Sequence, residues 1–211
     1  RDLRLVRLTD GRYHAGQVST RAAVEAIRAA KKDGLPVTCG TAPHYFALNE
    51  LAVHEYRTFA KTSPPLREED DRRAVTEALA DGTIDVIVSA HNPQGEEEKR
   101  QPFELAADGV IGLETLLPIG LDLVHGGHLK MLDLIGAMSL KPATILGLPC
   151  GRLKKGAPAD LVLFDPEKPW RIEPEKFHSK AKNSAFENRP TQGRVLRTLV
   201  EGRTVFGDTS D

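Results

Sequence analysis

The chain has 211 residues, 40% of them hydrophobic and 28% charged, with a formal net charge of −1. That is ordinary globular composition, enough for one good core and a smaller satellite, and the near-zero charge argues against nucleic acid or an anionic membrane as partner. No apolar run approaches the ~20 residues of a membrane span, Arg1-Asp2-Leu3-Arg4 lacks the apolar core of a signal peptide, and Cys39 and Cys150 are too few for a disulfide framework.

A reducing cytosol is the expected compartment. Arg1 rather than Met opens the chain, which reads as a fragment or a processed chain, or one from which a tag has been cut. Residues 12–18 read as a short strand, and Ser19-Thr20 offers an N-cap to the helix that follows. Ala22, Ala23, Val24, Ala26, Ile27 and Ala30 give that helix its apolar stripe, and Lys31-Lys32-Asp33-Gly34 suits its end. Residues 35–41 form a second strand, stopped by Ala42-Pro43. The looser stretch beyond it ends in Ser63-Pro64-Pro65-Leu66, where consecutive prolines forbid regular structure.

Residues 67–80 are the next helix, closed by Asp81-Gly82, and residues 84–88 a buried type of strand leading into Ser89-Ala90-His91-Asn92. Alternating strands and helices with short links predict parallel β/α units, with the strand ends near Gln17, Gly40 and Ala90 along one edge. Glu96-Glu97-Glu98-Lys99-Arg100 reads as a solvated charged loop. Helical segments follow at 113–123 and 129–138, with a third apolar piece at 142–148. From Gly151 the pattern becomes short β, at 160–165 and 194–200, with a Glu201-Gly202 turn into 203–206. A boundary near 149–156 divides the chain into 1–149 and 150–211.

Several phrases in order resemble the dihydroorotase family of cyclic amidohydrolases. They are Gln17-Val18-Ser19-Thr20, Ala42-Pro43-His44-Tyr45, Pro64-Pro65-Leu66-Arg67, Asp81-Gly82-Thr83-Ile84-Asp85 and Gly109-Val110-Ile111-Gly112-Leu113-Glu114-Thr115. Further on come Pro142-Ala143 with Ile145-Leu146-Gly147-Leu148, then Gly156-Ala157-Pro158-Ala159-Asp160-Leu161 and Ser179-Lys180-Ala181-Lys182-Asn183-Ser184. The resemblance implies an α/β fold: the C-terminal part of a (β/α)8 TIM-type barrel plus the C-terminal strands of a small β domain. On that alignment the chain carries the last three β/α units and trailing helices. The His-x-His of the first strand, the bridging carboxylate of the fourth and the histidine of the fifth lie outside it.

The family's chemistry, opening or closing a cyclic amide, needs a hydroxide at neutral pH, an electrophile for the carbonyl oxygen and a base for the leaving nitrogen. Zinc supplies the first two. By resemblance, the strand before Val-Ser-Thr ends in a histidine ligand, and here that position is Gln17, whose amide is a poor zinc ligand. The family's base is an aspartate at the end of the eighth strand. Here it is Ala90, which has no group to titrate. The substrate-pocket positions carried over by resemblance are Ser63, His91, Gln94 and Gly109, and they are degenerate: Ser63 stands for an asparagine and Gln94 for the histidine that holds the substrate carboxylate. An acidic residue often found before the Pro-His phrase is here Gly40.

His91 reads more readily as a structural histidine than as a pocket group. His14, three residues before Gln17, is expected on the opposite strand face and outside the barrel. His44 is expected in a turn or as a supporting residue behind the site, and His54, His125, His128 and His178 at the surface or in loops. Cys39 reads as a small strand-interior hydrophobe.

Three functions compete on these residues. One is a non-catalytic dihydroorotase-like subunit, without cofactor, partnered with aspartate carbamoyltransferase as degenerate relatives are. Another is an active zinc-dependent amidohydrolase whose metal is held by the absent N-terminal half. The third is a sensor using the old pocket without chemistry.

Overall fold

The computed structural model describes residues 1–207. It opens with helix α1 (Asp2–Thr9), a segment for which the sequence pattern predicts no element. Only Val6 of this helix is buried, so its apolar spacing carries little signal, while Asp2 in the first turn and Arg7 in the last complement the helix dipole. Strand β1 (Tyr13–Ala15) is shorter than residues 12–18 suggest. The chain leaves the ladder after Ala15, although Val18 still donates its N–H to Gly40 at 2.8 Å.

Thr20 takes an extended backbone and accepts the Ala23 N–H, starting α2 (Arg21–Lys32), whose Val24, Ile27 and Ala30 are buried. Strand β2 (Val37–Thr41) follows, then a short helix α3 (Pro43–Ala47) where only a loose stretch is expected. Pro43 begins α3 because its missing N–H is one that a helix start leaves unpaired anyway. Helix α4 (Glu69–Ala80) carries Glu69, Asp70 and Asp71 in its first turn, and strand β3 (Val86–Ile87) comes next. The strands form a sheet in the order β1-β2-β3, both pairs parallel, with Tyr13 opposite Val37 and Gly40 opposite Val86. Asp85 ties helix to sheet, accepting from Lys31 Nζ at 2.6 Å and from the Cys39 N–H at 2.8 Å.

Beyond β3 the charged run is not a loop. Glu96–Lys99 forms a short helix, α5, because Glu98 turns back to accept the Gly95 N–H at 2.9 Å and Lys99 is buried. Helix α6 (Leu116–His125) is followed by α7 (Met131–Ile135), a π-helical turn (Gly136–Leu140) and α8 (Lys141–Leu146). Pro142 has no N–H for the carbonyl four residues back, which accounts for a π turn just ahead of it. Gly147, with φ 69°, ends the run in the left-handed region.

The last part is an antiparallel sheet in the order β4-β5-β6: β4 (Leu161–Arg171), β5 (Pro190–Val200) and β6 (Arg203–Gly207). It rests on α6, where Gly193 leaves room for Leu121; a Cβ there would lie 2.2 Å from the leucine Cδ1. Arg189 pairs with Asp122 at 2.8 Å across the same contact. The core runs from Cys39, Val75, Ile84 and Ile87 in the parallel part to Ile119 and Leu121 under the sheet. No helix is long and apolar enough to cross a membrane among the described residues.

Candidate functional site at the strand ends

Because β1, β2 and β3 are parallel, their C-terminal ends share one edge; Thr41 is the last residue of β2, and Gln17 and Ala90 come just after β1 and β3. In β/α barrels this is the edge that carries chemistry. Gln17 sits just past β1, with its Oε1 position 3.2 Å from the Tyr45 hydroxyl, which is also 2.8 Å from the Pro64 carbonyl. A hydroxyl has one proton and a carbonyl can only accept. Satisfying both contacts therefore turns the Gln17 amide so that an N–H faces the tyrosine oxygen. The amide is thus engaged in fixing the loop that contains Ser63, itself exposed beside Pro64. Thr62 adds a second hydroxyl to the same Pro64 carbonyl at 2.8 Å. Burial raises the Tyr45 phenol above its ordinary range, so it stays protonated.

At the end of β3, Ala90 has φ 46°, a left-handed conformation that alanine adopts at a cost. His91 next to it pairs as an isolated bridge with Val110, and its Nδ1 lies 3.2 Å from the Gly112 N–H and 3.5 Å from that of Leu113. An Nδ1 that accepts puts the proton of the neutral ring on Nε2. The ring is holding a backbone turn. Gln94 donates Nε2–H to Asn92 Oδ1 at 2.8 Å, and its main-chain N–H reaches Asn183 Oδ1 at 3.3 Å. Gly109, with φ 120°, donates its N–H to Lys61 and accepts from Asn183 Nδ2 at 3.1 Å.

The structure therefore makes two groups. Gln17, Tyr45 and the Ser63-Pro64 turn form one; His91, Gln94, Gly109, Asn92 and Asn183 form the other. The Gly109–Lys61 bond joins them. Nothing in the sequence singles out Tyr45, Asn92 and Asn183 as site residues. Asn183 lies in one of the resembling phrases, but its role depends on contacts with residues about 90 positions away.

One histidine is placed differently from expectation. His14 is not on the outer face: its Nδ1 lies 2.8 Å from Thr38 Oγ1, and a Cβ on Gly40 would lie 3.5 Å from its Nε2. Asp85 and Cys39 point the other way, toward Lys31 of α2 and the Thr83 carbonyl. Strict alternation from 14 to 17 misled because β1 ends at Ala15. Of the two places expected for His44 the turn is not the one found: it is 3% exposed within α3, its ring 4.1 Å from that of Tyr45, and burial lowers its pKa to about 4.

Zinc is the metal that the resemblance implies, and the residues present do not fit it. Gln17 offers an amide already bonded to Tyr45, Ala90 offers no ligand, and among the described residues no group of His, Cys, Asp or Glu side chains is placed to hold a metal.

The model of the amidohydrolase family matches residues 9–205. The chain belongs to the amidohydrolase family. Among curated relatives, this amidohydrolase is 48% identical over 207 residues to the dihydroorotase of Anaplasma phagocytophilum, covering 98% of the chain and 46% of that protein. It is 47% identical over 206 residues to the dihydroorotase of Syntrophotalea carbinolica, covering 98% and 48%. These likenesses put it with the dihydroorotases. Among solved structures, it superposes on the L-hydantoinase (dihydropyrimidinase) of Arthrobacter aurescens with a TM-score of 0.93 at 30% identity, covering 98% of the chain and 47% of that structure. The chain spans about half the length of the relatives it matches. Its mixed α/β architecture is the corresponding part of their fold.

Proposed function

We propose that this amidohydrolase half belongs to a dihydroorotase-like protein of pyrimidine synthesis, in a cytoplasmic setting, whose own catalytic centre is lost. Its role is then to scaffold or support a partner enzyme, aspartate carbamoyltransferase. The observation that carries the loss of chemistry is Ala90 at the end of β3, where the family places its base, seen together with the Gln17 amide locked to Tyr45. Removing a general base alone costs typically ~10² to 10⁴ in rate, and here a metal-ligand position is gone as well. The partner rests on the resemblance to degenerate dihydroorotase-like subunits. In this reading the strand-end residues hold loops: His91 serves Gly112, Gln94 serves Asn92, and Gly109 and Asn183 serve each other.

A second reading is favoured by the 48% identity to a protein named dihydroorotase. It keeps hydrolysis of a cyclic amide C–N bond, with a metal held entirely by residues outside this chain. Metal analysis and a dihydroorotate assay on the complete protein separate the two. Background turnover without stoichiometric zinc, together with co-purification of aspartate carbamoyltransferase, supports the first reading. Stoichiometric zinc with turnover, or failure of the two proteins to associate at micromolar concentration, overturns it.

A further inference from the structure

Residues 95–110, which follow the segment after β3, form a strap held to residues 58–61 by two lysines. Lys61 Nζ donates to the carbonyls of Phe103 at 2.8 Å, Glu104 at 3.0 Å and Ala106 at 2.6 Å, and lies 5.5 Å from the centre of the Phe103 ring. Lys99, 3% exposed, donates to Thr58 at 2.9 Å and Ala107 at 2.7 Å, while its own carbonyl accepts from the Thr58 hydroxyl at 2.6 Å. The strap is bonded in turn to the segment carrying Ala90. The Asn92 N–H donates to Val110 at 2.8 Å and the Gly109 N–H to Lys61 at 2.9 Å.

Counting protons separates the two lysines. Lys61 has three ammonium protons and three carbonyls to receive them, so its charge is fully used. Lys99 has two carbonyls, and a neutral amine also has two N–H groups to give them. Its charge is therefore surplus to its hydrogen bonds. The charged groups that face it are Lys61, which opposes that charge, and Asp108 on the strap, which favours it. Glu98 is turned back to Gly95, and Arg57 is turned away to Ser184 and Ala185.

We propose that Lys99 latches the strap to the segment at Thr58, and that the latch tightens when this lysine loses its proton. Burial lowers the Lys99 pKa from 10.5 to about 8 in the closed form. Where the strap opens and Lys99 meets water, the ordinary value returns. Between those values the open form binds more protons than the closed one, so opening becomes less favourable as pH rises. The segment around Ala90 stiffens with it.

The test is hydrogen exchange of the whole chain at pH 7.5 and 9.5, corrected for intrinsic exchange, with peptides from the strap compared with peptides from α6. In the wild type, strap protection is expected to rise on the order of tenfold relative to α6. In Lys99→Met, which cannot change charge, the ratio stays flat. Unchanged or falling protection in the wild type, or an equal rise in Lys99→Met, overturns the proposal. If that variant does not fold, NMR titration of the labelled Lys99 side chain in the wild type decides. A midpoint near 8 supports the latch, and one at or above 10 overturns it.

Discussion

The side-chain amide of Asn183 donates to the main-chain carbonyl of Gly109 at 3.1 Å, joining the approach to β5 to the end of the strap. The same amide donates to the Asn92 carbonyl at 3.2 Å, while its oxygen accepts the Gln94 N–H at 3.3 Å. Asn183 is 2% exposed and the Gly109 carbonyl it serves is buried, while its bonds to Asn92 and Gln94 are half-buried. Replacing it by leucine, of similar volume, leaves the buried Gly109 carbonyl and the half-buried Asn92 carbonyl and Gln94 N–H without their partner. At roughly 1–3 kcal/mol for each unsatisfied buried group, partly relieved by relaxation, Asn183→Leu is expected to cost at least about 2 kcal/mol. Urea unfolding would measure it, and a change under 0.5 kcal/mol would show that these bonds are not holding the strand-end loops together.

Ala90 offers an opposite expectation. Its φ of 46° is a region where a Cβ is crowded by the backbone and glycine is not. Ala90→Gly relieves that crowding but enlarges the freedom of the unfolded chain, leaving a net gain of about 0.5–1 kcal/mol. Ala90→Val, with its branched side chain, is expected to destabilise instead. A higher denaturation midpoint for the glycine variant and a lower one for the valine variant check both. The resemblance implies an aspartate at this position, and aspartate tolerates this conformation better than most.

His44 couples stability to acidity. Its folded pKa is about 4 against an ordinary 6.5, because burial disfavours the imidazolium. Between those values the unfolded chain binds the extra proton, so stability falls as pH drops through that window and is fully present above it. The expected loss at the acid end is roughly 3 kcal/mol from this residue alone, at ~1.4 kcal/mol per pKa unit. Chemical denaturation at pH 7 and pH 4.5 would show it, and His44→Phe should flatten that part of the profile. An equal pH slope in the variant would assign the acid sensitivity to other groups.

The sequence made the parallel part legible wherever local chemistry and burial agree. Thr20 caps α2, Val24, Ile27 and Ala30 make its stripe, and Gly34 follows its end, so periodicity and caps coincide. The same reading passes over α3, whose His44 and Tyr45 are buried by the molecule around them rather than by any amphipathic pattern. It calls Glu96-Glu97-Glu98-Lys99 a loop because charge suggests solvent, whereas Lys99 is drawn inward by the carbonyls of Thr58 and Ala107. At the site, that Gln17 and Ala90 stand where the family has a ligand and a base was visible only as what the resemblance implies. What the remaining polar groups do instead was not, since Gln17–Tyr45 and Gln94–Asn183 join residues 28 and 89 apart.

Gly112 tests how tightly the β3 end is packed against the turn that His91 holds. A Cβ at this position would lie 2.0 Å from the Ser89 carbonyl oxygen and 3.1 Å from its carbon, and both are main-chain atoms with no side-chain freedom to retreat. Its own N–H is also the nearer donor to His91 Nδ1, at 3.2 Å. Gly112→Ala must therefore push the turn away from the strand end and stretch that bond in the same movement. Overpacking costs typically 1–3 kcal/mol, and the loss of a histidine contact adds to it, so about 3 kcal/mol or more is expected. Thermal unfolding of Gly112→Ala beside His91→Ala and the double variant would check this. Because both changes disturb one contact, the double variant should lose less than the sum of the singles. Strict additivity would mean that the turn is fixed by something other than the His91 ring.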